Sequence, residues 1–157
     1  MKGVVGEDVL TGFILIFIIA LVSVAAWYLY STLIAVPQFA APGPANTAMG
    51  YVGTTISMFD GLIAVMVAAI GIGSIASGIM VRSHPVVFVV MIAINGVTAL
   101  ICSFFTNVFV TLSSTALSSS IAHFAVTGMI IQYFPLVSLA MSFIAAIAVF
   151  STRGSPA

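Results

Sequence analysis

Four long apolar runs, over residues 10–36, 60–81, 86–112 and 126–150, are separated by short polar or proline-rich stretches. An α-helix rising about 1.5 Å per residue needs about 20 residues to cross a hydrocarbon core about 30 Å thick. Each run meets that length. The pattern therefore predicts an all-α, polytopic integral membrane protein: one membrane domain over 1–157 with four transmembrane helices. Loops are expected at 37–59, 82–85 and 113–125.

The second run organises the rest. From Gly61 to Arg82 it reads GLIAVMVAAIGIGSIASGIMVR, uncharged until its last residue and rich in Gly, Ala and Ser. In water such glycines weaken a helix by up to about 1 kcal/mol each relative to Ala. In lipid every backbone group must be bonded internally, so the helix persists and its small residues become contact surface. At about 100° per residue, Gly53, Ser57, Asp60, Ala64, Gly71, Ser74 and Gly78 share one narrow face. That face admits a close helix neighbour, and it carries one carboxylate.

The connecting stretches fit this division. Residues 37–50, PQFAAPGPANTAMG, hold three prolines and two glycines, which read as a loop outside the bilayer core. Ser57 or Asp60 is placed to cap the start of the second span. Arg82-Ser83-His84-Pro85 is a tight turn, with Pro85 suited to the first turn of the next helix. SSTALSSS at 113–120 ends the third run. Gln132 and Pro135 interrupt the fourth, where proline should kink the helix or mark its true start. The first run is longer than the apolar region of a signal peptide, roughly 7–15 residues, and is expected to be a retained span.

Charge sets the orientation. A path with both ends on one side groups Lys2, Arg82 and Arg153 there and leaves the two long loops without Lys or Arg. This is the positive-inside asymmetry, so the reading is N-in and C-in. The same path puts Trp27, Tyr28, Tyr30, Tyr51 and Tyr133 near the opposite interface, where amphipathic rings prefer to sit.

Composition narrows the class. Charged residues make up 4% of the chain and hydrophobic residues 62%, far from the roughly one-quarter charged content of a soluble domain. Zero net charge offers no basic field for nucleic acid. The single Cys102 excludes an internal disulfide and reads as a small buried hydrophobe.

Few polar groups lie at depth. Asp60 precedes Arg82 by 22 residues, Asn107 follows Pro85 by 22, and Gln132 precedes Arg153 by 21. At about 1.5 Å per residue all three reach a similar level near the outer boundary, so a cluster of Asp60, Asn107 and Gln132 is geometrically feasible. Asp60 has two readings: a proton or cation site, or a helix cap or interfacial charge. The second is preferred, because an interface makes charge cheap. A transporter should also show a second carboxylate, a basic partner or paired broken helices. Asn95, about mid-membrane on a stripe with Ala99, Cys102 and Thr106, reads as an interhelical hydrogen bond, as does Gln132; such bonds average roughly 0.6 kcal/mol in membranes.

No chemistry is expected. His84 and His123 are far apart and lack metal-ligand spacing, so no metal is assigned. No Ser has a His and a carboxylate at its own level, and the GxSxG elbow is absent, so no catalytic residue is assigned. Gly71-Ile72-Gly73 follows no strand, so no cofactor is assigned either.

The pattern Arg82-Ser83-His84-Pro85, a long apolar run to Thr106-Asn107-Val108-Phe109, and Phe134-Pro135 in the last span covers the second half of the chain. It resembles small polytopic membrane proteins of tailless icosahedral viruses with an internal lipid membrane. The resemblance implies a component of a virion membrane and gives no residue a role. A structural or assembly function follows as the expectation: packing with lipid, in a homo-oligomer or a larger membrane or capsid assembly. The alternatives are a small transporter, channel or holin-like pore, and an accessory subunit of a membrane complex.

Overall fold

A computed structural model describes residues 5–80, 85–115 and 117–151, and no strand occurs among them. The helices are α1 (Val5–Ile34), α2 (Pro37–Ala40), α3 (Pro44–Met80), α4 (Pro85–Ser113), α5 (Ser118–His123), α6 (Ala125–Gln132) and α7 (Phe134–Ser151). Three of them are long and apolar enough to cross a membrane, over Leu10–Ile34, Pro44–Ala76 and Ile92–Ser113. The bent pair α6 and α7 makes a fourth if it is counted as one span. The sequence expectation of an all-helical membrane protein holds at this level.

Prolines punctuate the chain. Pro37, Pro44 and Pro85 each open a helix, and Pro135 is the second residue of α7. The first turn is where a missing N–H costs nothing, because that donor has no partner inside the helix. This accounts for one correction. The segment 37–59, expected as a loop, is helical from Pro44 onward, and only 41–43 separate α2 from α3. Pro44 starts α3 rather than breaking it. With 37 residues, α3 is about 55 Å long and exceeds a hydrocarbon core by nearly half its length. The expected loop 113–125 likewise contains α5 and the start of α6. The turn residues Arg82, Ser83 and His84 lie outside the described residues.

The fourth run is broken where proline was expected to act. α6 and α7 meet at Tyr133 with a 69° change of direction. In a continuous helix the N–H of residue 135 would bond the carbonyl of Ile131; proline has no N–H and its ring clashes there. Thr106 Oγ1 in α4 donates to that carbonyl at 2.8 Å, and the Tyr133 N–H also points at it. A freed backbone acceptor is thus satisfied by a side chain of the neighbouring helix, the condition for an irregular backbone at membrane depth.

The helices pack α1 on α3, α3 on α7 and α4 on α7. From α1 the core takes Phe13, Ile16, Phe17, Ala20 and Val24, spaced three and four apart so that one face turns inward. They meet Ile63, Cys102, Phe109, Phe124, Ile131 and Phe134. Phe13 meets Phe134 edge-on at 4.9 Å, and Phe17 stacks on Phe105 at 4.3 Å. Three of the buried hydroxyls bond their own helix: Ser23 donates to the Ile19 carbonyl, Ser74 to that of Ile70 and Thr98 to that of Ile94. The outside is as apolar as the inside. Leu100, Ile72 and Phe143 are 72%, 70% and 69% exposed, a surface that water penalises and acyl chains accept.

Candidate functional site

The small-residue face of α3 turns inward. Gly53 and Ser74 are buried, while Ser57, Asp60, Ala64 and Gly71 are half-buried. A Cβ added to Gly53 would lie 2.5 Å from Tyr30 Oη and 2.6 Å from its Cζ, so the tyrosine ring of α1 occupies the space the glycine leaves. At Gly71 the neighbour is Met141 of α7, whose Cε would lie 3.1 Å from an added Cβ. Gly78 belongs to α3, but its surroundings lie outside the described residues. Gly61 and Gly73 point away from this face, with open space around them.

Asp60 has a specific task in this arrangement. One carboxylate oxygen accepts from the Thr127 N–H and from Thr127 Oγ1, both at 2.7 Å, and the other accepts from the Val126 N–H at 3.2 Å. These are first-turn donors of α6, which has no intrahelical partners for them. The residue before α6 is Phe124, which makes no side-chain cap. Asp60 therefore acts as the N-cap of α6 from a different helix. Negative charge is favoured at this end by the helix dipole, and N–H bonds to a carboxylate are stronger than neutral ones. The capping role foreseen for Asp60 is met on α6, 66 residues away in sequence, rather than at the start of its own helix.

Asn107 and Gln132 do not join it. Both are exposed, and neither side chain hydrogen-bonds Asp60. The side chains lie on other faces of their helices. Asp60 lies 20 residues before Met80, and Thr106 lies 21 after Pro85, so both sit about 30 Å from those helix ends. The residues that engage are one position away: Thr106 in place of Asn107, and the Ile131 carbonyl in place of Gln132. Asn95 is half-buried in α4 and makes no side-chain hydrogen bond among the described residues.

A second set of contacts lies one turn from Asp60. Ser57 Oγ is 2.9 Å from the Gly53 carbonyl and 2.9 Å from His123 Nε2. The His123 ring stacks on Trp27 of α1, with centroids 3.5 Å apart and planes 8° from parallel. Tyr30 tilts against the same indole at 5.0 Å. This corrects the expectation that no serine has both a histidine and a carboxylate at its level, since Ser57 meets His123 one turn from Asp60. It does not complete a catalytic triad, since the Asp60 carboxylate is bonded to α6 and makes no ion pair with His123. Among the described residues no group of three metal-ligating side chains forms.

No motif in the sequence points to Thr127 or to the Trp27–His123 stack, and the sequence places Thr106 only on the Asn95 stripe. One signal for Thr127 was present: Phe124-Ala125-Val126-Thr127 offers no Ser, Asp or Asn at an N-cap, so the first-turn donors needed an acceptor from elsewhere. No protein-family profile, curated protein or solved structure matches this chain.

Proposed function

We propose that this chain is a structural integral-membrane protein with four spans and both ends on one side, and that its work is to pack with lipid and with other helices. The observation that carries this is the use made of Asp60. The one carboxylate beyond the N-terminal segment is bonded to the first turn of α6, an internal fastening that leaves it no substrate to serve. The apolar exterior supports the same reading. The open space at Gly61 and Gly73 suits close approach of a helix from another copy or a larger membrane or capsid assembly. On the resemblance of its second half, the membrane is the internal membrane of a virion. No reaction is assigned to the chain.

A small transporter or channel is the second reading, and one observation favours it. The chain breaks at Phe124 as well as at Tyr133, so that the N-terminus of the short helix α6 lies against a carboxylate, and transporters build ion sites from discontinuous helices. Reconstitution in liposomes separates the two. With a proton or monovalent-cation gradient, the structural reading predicts no flux above protein-free vesicles, from wild type and from Asp60→Asn alike. Wild-type flux that Asp60→Asn abolishes would overturn it in favour of the transporter.

A further inference from the structure

The Ser57–His123 contact carries more than its distance. Ser57 has one hydroxyl proton and two neighbours at 2.9 Å: the Gly53 carbonyl, which only accepts, and His123 Nε2. Both bonds exist together only if Nε2 brings the second proton. We infer that His123 latches the segment Ser118–Gln132 onto α3 through a directed relay: Nε2–H donates to Ser57 Oγ, which donates to the Gly53 carbonyl. The flat stack on Trp27 fixes the ring from α1, and Phe124 meets its edge at 5.4 Å. Together with the Asp60 cap, this fastens the two helices before the Tyr133 break to a single stretch of α3, residues 53–60.

The direction of the relay has two consequences. Ser57 is not an activated nucleophile, because its proton points to Gly53 and the histidine presents an N–H to it rather than a lone pair. Nδ1 holds the free lone pair, on an exposed ring. A proton arriving there leaves every bond of the relay in place and turns the Trp27 stack into a cation–π contact. The ring itself meets Ser57, Trp27 and Phe124; of the nearest titratable side chains, Tyr30 lies against Trp27, the ring's stacking partner, and Asp60 is engaged by Val126 and Thr127. The latch therefore holds with the ring neutral or carrying a second proton, while its optical signature changes. This inference does not depend on the proposed membrane role.

Two measurements on the full chain in detergent or nanodiscs test it. With ¹⁵N-labelled histidine at neutral pH, the His123 Nε2–H resonance is expected to be observable and to exchange with water about tenfold more slowly than in Ser57→Ala, the factor for loss of one typical hydrogen bond. A bare Nε2 with the proton on Nδ1 would overturn the relay, as would exchange unchanged by Ser57→Ala. Trp27 is the chain's single tryptophan, so its fluorescence reports the stack. Emission is expected to fall reversibly on acidification as the imidazolium quenches the indole, and His123→Gln should abolish the effect. Emission independent of pH in the wild type would mean that the latch is not closed as described.

Discussion

Replacing Asp60 tests the fastening of α6. In Asp60→Ala three hydrogen bonds disappear, and Thr127, which is fully buried, keeps an N–H and a hydroxyl without their acceptor. Loss of an N-cap costs about 0.5–2 kcal/mol. A buried donor left unsatisfied costs about 1–3 kcal/mol. Asp60 is half-buried and water reaches part of the site, so the low ends of these ranges apply, and about 2–3 kcal/mol is the expected loss. Asp60→Asn keeps one carbonyl oxygen able to accept from Thr127, so about half that loss is expected. Thr127→Val removes one bond from the other side. Combined with Asp60→Ala, it should show a coupling of about 1 kcal/mol, because the two groups share the contact. Reversible unfolding in a defined detergent or bicelle mixture provides the measurement. The reasoning fails if Asp60→Ala and Asp60→Asn both unfold within about 0.5 kcal/mol of wild type, the range of an ordinary surface change.

Other contacts give separate tests. Gly53→Ala puts a methyl onto the Tyr30 ring and should destabilise the α1–α3 contact by about 1–3 kcal/mol, with partial recovery when Tyr30→Leu is added; equal stability of Gly53→Ala and wild type would show that the ring moves freely aside. Gly71→Leu should weaken packing on Met141, whereas Gly73→Leu should leave the stability of the single chain unchanged and, on the proposed packing between copies, lower the oligomer fraction in single-molecule counting. Identical behaviour of the two variants would remove the distinction between the inner and outer faces of α3. Thr106→Val should cost about 1 kcal/mol by removing a donor to the Ile131 carbonyl, and Thr106→Ser should restore it; a silent Thr106→Val would mean that the Tyr133 N–H suffices there.

What the sequence made legible was axial position, and what it hid was rotation. Residue counts and a fixed rise place Asp60, Thr106 and the α6–α7 break at one level. Pro135 marks the break because its missing N–H acts locally. The rotation of α4 about its axis is another matter. α4 is apolar nearly all round, with Val97, Leu100 and Phe104 exposed beside buried Cys102 and Phe109, so hydrophobicity does not say which side faces the bundle. A shift of one residue turns the helix by about 100°, enough to exchange Asn107 for Thr106. The small-residue face of α3 was readable for a different reason: glycine and serine mark close approach by size rather than by polarity. Residues 37–59 are rich in proline and glycine, as loops are, yet Pro44 sits in the first turn of a helix, where proline costs nothing. The Ser57–His123 pair joins residues 66 apart through a chain reversal that no local pattern announces.

Amide hydrogen exchange at Val126 and Thr127 tests most directly the claim that Asp60 is an internal cap. In the wild type both amides should be protected despite lying in the first turn of a short helix, and Asp60→Ala should speed their exchange by about tenfold or more. The Ile14–Ile19 stretch of α1 should exchange as before. Rapid exchange at Val126 and Thr127 in the wild type, or rates indifferent to Asp60→Ala, would contradict the account and return the carboxylate to the role of an ion site.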